Sequence, residues 1–397
     1  MPPNNLQQPA QFTITFGGWY QRTTLHLSEV YEFLRNGSSH LDLPPEKLLA
    51  NYKKLNLNSV TRELKDLEYV KATTTDGIEI RYYEDGLYIF ETHASDIQKA
   101  QKQLTDYYEN IFNPAVNYIF SLGAPTPKVL ANMKSDHPVV VSFIETVIAD
   151  NGVNIEQFGQ VYSKLASGSY TVYKAKDYIF IVSTNSDAAA LTAIVEMQIF
   201  FREFKDHLEK YLNIHRKVWE EITQIKDRKY LKGKEVNSIR MKLDSYQKTI
   251  SLISNRINQM GSYVRTRQSI SKKVSLEDHL STLFQYRFEV LLDTLDYIKE
   301  IWKMTTDYLN SAIQVVVEIQ NMSTTKSIQS LTLITTVGVI AGLIGHLSRD
   351  ALPKVTLLGT SYLSLLIVCG WLINFSVQRI SQNRKQRLKF AERTDVI

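Results

Sequence analysis

Residues 331–347 read LTLITTVGVIAGLIGHL, and residues 355–377 read VTLLGTSYLSLLIVCGWLINFSV. Neither stretch holds a charged residue, and nothing else in the chain is as apolar. As helices they would cover roughly 26 Å and roughly 35 Å at about 1.5 Å per residue. A hydrocarbon core of about 30 Å calls for around 20 apolar residues. The second stretch meets that length alone, and the first meets it with help from Ser327–Ser330 or from the loop that follows. A hairpin buried in a protein core is the competing reading. The expected fold is an α+β cytoplasmic domain, then a long helical stalk, then two transmembrane helices at 326–347 and 355–377.

Between the two stretches lies only SRDALPK, residues 348–354, which reads as a short extracytoplasmic loop. The tail, residues 378–397, carries Arg379, Arg384, Lys385, Arg387, Lys389 and Arg393, with Glu392 the one acid before residue 394. Positive residues stay on the cytoplasmic side, so both termini are expected in the cytoplasm of a multi-pass cell-membrane protein. The tail also reads as a topology signal alone or as a contact for lipid headgroups. MPPNNLQQPAQ at the start has no basic and then apolar run, so no signal peptide is expected. A single cysteine, Cys369, fits a reducing compartment.

Upstream, residues 186–325 read as a helical hairpin and a stalk. Asp187 to about Lys226 has apolar residues at helical spacing, Leu231–Lys234 breaks it, and a more polar helix runs from about Glu235 to Ile270. Ser275-Leu276-Glu277-Asp278 resembles a capping box that opens a third helix. From there Leu280, Phe284, Phe288, Leu291, Leu295, Ile298, Trp302, Leu309, Ala312, Val316 and Ile319 recur at steps of three and four, with one beat skipped at Thr305. That is a coiled-coil-like seam. With no proline or glycine between Leu276 and Gly338, one helix of roughly 110 Å is expected to run from Leu276 to Leu347. Such a rod needs partner helices, copies of itself included, to bury its seam.

Residues 1–185 read as a mixed α/β domain. The expected strands are Phe12–Phe16, Tyr69–Thr74, Ile78–Tyr83, Leu87–Glu91, Asn117–Ser121, Tyr170–Lys174 and Tyr178–Ser183. Helices are expected at Leu27–Arg35, Pro45–Tyr52, Ser95–Ile111 and Asn154–Leu165. Asp76-Gly77 and Asp85-Gly86 mark hairpin turns, and Gly17-Gly18 reads as a turn. The chain has 46 basic against 41 acidic residues, too small an excess to argue for nucleic acid. Zinc-type cysteine spacing, HExxH, GxGxxG, Walker A and G-x-S-x-G are all absent. No enzyme is expected.

This order of elements resembles the CorA-type metal-ion transporter superfamily. At residue level the likeness is concentrated in Ser330–Thr336 and in Ala341-Gly342-Leu343-Ile344-Gly345. The resemblance implies a pentameric funnel whose stalk helices surround an ion path. Such a homopentamer in the lipid bilayer would pass a divalent cation such as magnesium down its gradient, gated by the cytoplasmic part. The family's G-M-N filter is missing: aligned on Gly345, His346 stands at the methionine and Leu347 at the asparagine. Two alternatives stay open, a ligand-sensing membrane effector of the same fold that binds a small cytoplasmic molecule, and a membrane scaffold that does not conduct.

In the expected pore helix, Thr325, Gln329, Thr332, Thr336 and His346 fall on or near one face, with Thr335, Gly338, Gly342 and Gly345 beside it. Oxygens spaced in this way suit a cation that keeps its water shell. Leu347, Arg349 and Asp350 would form the mouth, and copies of His346 a proton-sensitive ring. Packing is the competing reading, since Gly338-x-x-x-Gly342 is a helix-contact motif and threonines bond back to helix carbonyls. As the resemblance implies, Asp293, Asp296, Glu300, Asp307 and Glu318 would offer regulatory metal ligands between subunits. No cofactor is required and no nucleic acid is expected.

Overall fold

The computed structural model describes residues 12–20, 26–120, 137–145, 154–228 and 230–347, together with 361, 364–365, 368, 371–372, 375–376, 379 and 385–387. The chain forms two compact units: Met1–Ile214 with Ser251–Glu300, and His215–Ile250 with Ile301–Ile397.

The first unit is built on a nine-stranded mixed sheet. Its strands are β1 (Phe12–Trp19), β2 (Leu57–Glu63), β3 (Tyr69–Thr74), β4 (Glu79–Tyr83), β5 (Leu87–Ala94), β6 (Val139–Ile144), β7 (Ser163–Ser167), β8 (Tyr170–Lys174) and β9 (Tyr178–Ser183). They lie in the order β2-β3-β4-β5-β1-β6-β9-β8-β7. Every neighbouring pair is antiparallel except β6 with β9. The β3–β4 and β4–β5 hairpins turn at Gly77 (φ 79°) and Gly86 (φ 88°), as the Asp-Gly pairs lead one to expect.

Four helices pack on one face: α1 (Leu27–Asn36), α2 (Pro45–Leu55), α3 (Ile97–Tyr107) and, through a π-turn at Tyr108–Phe112, α4 (Asn113–Phe120). Their buried side chains, Phe33, Leu34, Leu104, Phe112 and Val116 among them, share one core with Ile14, Phe16, Phe90 and Phe180 of the sheet. α1 stops where Gly37 takes a left-handed conformation, and the Asp96 carboxylate caps α3 by accepting from the Lys99 N–H at 3.0 Å. The opposite face meets α5 (Ala188–Lys226), where Trp19 stacks on Phe204 with ring centres 5.8 Å apart. β1 is therefore buried on both faces. This is why Gly17 and Gly18 lie in a strand and not in a turn. A Cβ at Gly18 would come within 2.2 Å of the Tyr88 hydroxyl, and one at Gly17 within 2.7 Å of the Tyr88 carbonyl oxygen.

Other local expectations also change. Residues 117–120 are helical, because Val116, Ile119 and Phe112 continue one buried helical face through the π-turn. The span 154–165 holds only a short 3-10 turn, Ile155–Phe158, capped by Asn154, and then enters β7. The strand β2 was not expected; its exposed, polar sequence forms a sheet edge.

The remaining helices are α6 (Gly233–Lys273), α7 (Glu277–Phe284) and α8 (Phe288–Leu347). The expected unbroken rod from Leu276 is broken at Gln285, whose backbone is left-handed (φ 56°, ψ 24°). The Ser275 capping box does not form, because Ser275 is itself left-handed (φ 55°) and Leu276 takes the cap position. Phe284 and Phe288, on either side of the break, both pack on Phe201, with centroids 6.2 and 4.9 Å away. Replacing Gln285 with glycine should remove the cost of a side chain in this conformation and stabilise the unit by about 0.5–1 kcal/mol in urea unfolding. A destabilised Q285G variant would show that the Gln285 side chain holds the bend.

The largest correction concerns the membrane. Among the described residues no helix is long and apolar enough to cross one. The two transmembrane helices, and with them the pentameric funnel expected as a fold, are replaced by an α+β fold with a nine-stranded mixed sheet and long helices. In the last part of α8 the described exposed side chains interleave Asn321, Thr325, Gln329, Thr332, Thr335 and Thr336 with Ile328, Leu331, Val339 and Ile340, which is no continuous apolar surface. The loop at 348–354 and most of 355–377 lie outside the described residues.

Candidate functional site

The seam of α8 is buried as its spacing requires. Phe288, Leu291, Leu295, Ile298, Trp302, Leu309, Ala312, Val316 and Ile319 are each at most 2% exposed. The skipped beat is filled by Thr305, also buried, whose hydroxyl donates to the Ile301 carbonyl at 2.8 Å. In the first unit the seam packs on Phe201 of α5, and in the second Trp302 meets His215. Also in the second unit, Trp219 stacks on Tyr308 at 4.3 Å and Lys226 sits 3.9 Å from the same ring. Burial holds the Lys226 ammonium and the His215 imidazole below their ordinary pKa values, Arg216 adding to the effect at His215.

Two residues beyond each buried position lies an exposed one. Val290, Tyr297, Met304, Ser311, Glu318 and Thr325 form one row, and Asp293, Glu300, Asp307, Gln314, Asn321 and Ile328 the other; all twelve are exposed. The two rows keep a strict alternation of three and four, which continues through Thr332, Thr335, Val339 and Gly342. A strip of period 3.5 is the geometry of a second coiled-coil-like seam. Large apolar side chains lie open on it: Tyr297 is 62% exposed and Met304 58%. Further along α8 an open groove of about 560 Å³ is lined by the polar Gln314, Glu318, Asn321, Thr325 and Gln329 together with Ile313, Val317 and Met322.

The expected pore residues fall on this surface in part. Thr325, Thr332, Thr335 and Thr336 are exposed, and their hydroxyls donate to the carbonyls of Asn321, Ile328, Leu331 and Thr332 at 2.9, 2.9, 2.5 and 2.7 Å. With the proton committed inward, each oxygen faces outward as an acceptor. Gln329 is exposed beside them, and Gly338 and Gly342 have open space where a Cβ would stand. Gly345, His346 and Leu347 belong to the helical backbone of α8, but their side chains lie outside the described residues, as do Arg349 and Asp350 altogether.

Of the five acids proposed as regulatory ligands, Asp293, Glu300 and Asp307 recur every seven residues along one row, and Glu318 lies on the other. Asp296 is off the strip and pairs with Lys299 at 2.8 Å, an exposed pair of little energetic weight. Among the described residues no three His, Cys, Asp or Glu side chains of one chain gather as a metal site.

Sequence reasoning missed a buried polar cluster in the first unit. The Glu203 carboxylate accepts from Arg202 and from His137, both at 2.9 Å, while Arg202 also donates to the carbonyls of Gly17 and Pro138 at 2.7 Å. It missed a second, in which Arg267 holds Asp85. Neither had a local signal, since apart from the adjacent Arg202 and Glu203 the partners lie 64 to 185 positions apart in the chain. No known family model matches this chain, and no curated protein resembles it closely enough to count as a relative.

Proposed function

We propose that the chain is a homo-oligomeric membrane protein that lets cations pass down their gradient, with copies meeting along the exposed strip of α8. The observation that supports this reading is the strip itself: a second seam of coiled-coil period, carrying open Tyr297 and Met304, that the fold of one chain leaves uncovered. Leaving such side chains in water is unfavourable, and burial against other copies relieves it. The polar half of the strip fits the ions. The outward oxygens of Thr325, Thr332 and Thr335 accept only, and so suit a cation or its hydration shell. Carboxylates at Asp293, Glu300 and Asp307, repeated in each copy, would raise the local cation concentration. The basic tail, with Arg379, Arg384, Lys385, Arg387, Lys389 and Arg393, keeps both termini on the cytoplasmic side. The CorA-type resemblance gives five copies and magnesium or a related divalent cation.

The test is uptake of magnesium into dye-loaded vesicles that carry the full chain. Each lost oxygen contact with a cation is worth about 1.5 kcal/mol, roughly tenfold in rate. Thr325→Val and Thr332→Val should therefore each slow entry about tenfold while the protein remains assembled. A Ser311→Cys variant should cross-link into multimers under oxidation. Vesicles no leakier than empty ones, from a protein that sediments as a monomer, would exclude the reading.

A further inference from the structure

Strands β10 (Tyr230–Lys232) and β11 (Lys385–Arg387), both in the second unit, pair antiparallel. Tyr230 stands opposite Arg387, Leu231 opposite Gln386 and Lys232 opposite Lys385. Like charges at directly opposed positions of an antiparallel ladder repel each other. The pairing also joins two basic stretches from distant parts of the chain. Residues 226–234 hold five cations against one acid, Asp227, and residues 379–389 hold five cations and no acid. The next acid, Glu235, is engaged by the Lys232 backbone N–H at 3.2 Å. Arg228, Lys232 and Lys234 are exposed and have no ion-pair partner among the described residues. A ladder whose register sets Lys232 opposite Lys385, with no acid paired to Lys232 among the described residues, is complementary to an anion from outside.

The residues ahead of the tail decide which anion. Leu365, Val368, Trp371 and Phe375 are 49–64% exposed, and the rings of Trp371 and Phe375 stack at 5.8 Å. Open aliphatic and aromatic side chains followed by a basic cluster match the boundary between acyl chains and headgroups. A free phosphate would gain nothing from that apolar surface, and RNA would use the rings without the aliphatic residues. We propose that the β10–β11 ladder is a docking surface for anionic phospholipid headgroups. It goes beyond ion passage and stands without it, because it needs only a membrane face and not a path through one.

Flotation of the full chain with vesicles tests the proposal. Vesicles of phosphatidylcholine alone are compared with vesicles that also contain phosphatidylserine, at low salt. The wild type should bind the anionic vesicles more tightly. Each basic residue near such a surface contributes about fivefold in affinity, so the K232Q/K234Q double variant should lose roughly 25-fold. Lys232→Arg should keep wild-type binding, and an unchanged melting curve for the double variant shows that the loss is not one of folding. Equal binding to neutral and anionic vesicles would overturn the proposal, as would a double variant that binds like the wild type. Displacement by millimolar inorganic phosphate, or tighter binding to single-stranded RNA than to the anionic vesicles, would overturn it in favour of those anions.

Discussion

Arg267→Leu is expected to destabilise the first unit by roughly 3–5 kcal/mol, read as a fall in the urea midpoint with an unchanged slope. Arg267 and Asp85 are 2% and 1% exposed, and two hydrogen bonds of 2.7 and 3.1 Å join them. Burial works against the charge on Arg267, yet Asp85 more than offsets it and holds the guanidinium above its ordinary pKa. The guanidinium also lies over the rings of Tyr83 and Phe200 at 4.7 and 5.5 Å. Asp85 is tied down on its other side. Its carboxylate accepts from the Leu87 N–H at 3.1 Å, and its carbonyl accepts from the Trp19 indole at 2.5 Å. Leucine at 267 would leave a carboxylate out of water with one backbone donor, and the cost is the solvation of that charge and not the value of the pair. Asp85→Asn should therefore restore much of what Arg267→Leu loses, whereas independent sites would make the two losses add. Additive losses in that double-mutant cycle would show that the pair does not act as a unit.

How far the sequence discloses this arrangement depends on whether the information is local. β1, β3, β4, β5, β8 and β9 announce themselves through β-branched and aromatic runs, and two Asp-Gly pairs set the hairpins between β3 and β5. The buried seam of α8 is legible to the residue, and so are Thr325, Gln329 and Thr332 on its exposed side, because a helix turns spacing directly into direction. What escapes is decided by contacts from elsewhere. Gly17 and Gly18 resemble a turn until Tyr88 arrives across the sheet to forbid a side chain there. Asn117–Phe120 is too short an apolar run to separate strand from helix until the π-turn joins it to α3. The break at Gln285 has no glycine or proline to mark it; Phe284 and Phe288 bend the chain to reach one ring, Phe201. Uncharged length at 331–347 and 355–377 suggested spanning helices, but composition alone does not say what a segment packs against, and among the described residues no helix qualifies.

Acid should unfold the first unit in two stages, and Glu203 governs the second. Glu203 is 2% exposed, and burial alone would push its pKa up. The Arg202 guanidinium, the hydrogen bond from His137 and the nearby His207 instead lower it to about 2, against an ordinary 4.5. A depressed carboxylate pKa means that the folded state binds the proton less readily than the unfolded one. Its stabilisation is therefore complete above about pH 4.5 and is lost as pH falls toward 2. The shift of about 2.5 units corresponds to roughly 3 kcal/mol. His207 acts earlier. It is half-buried beside Trp19, its Nδ1 lies 2.8 Å from the Glu203 carbonyl oxygen, and desolvation lowers its pKa below 6.5 although Glu203 opposes that. The neutral ring is thus the folded form, and stability begins to decline as pH drops below about 6.5. Glu203→Gln should cost roughly 3 kcal/mol at pH 7, because Arg202 and His137 lose their anion, and should flatten the stability profile between pH 4.5 and 2. His207→Phe should flatten the part below pH 6.5 and leave the lower stage in place. A Glu203→Gln profile parallel to that of the wild type across the acid range would show that this carboxylate is not what acid titrates.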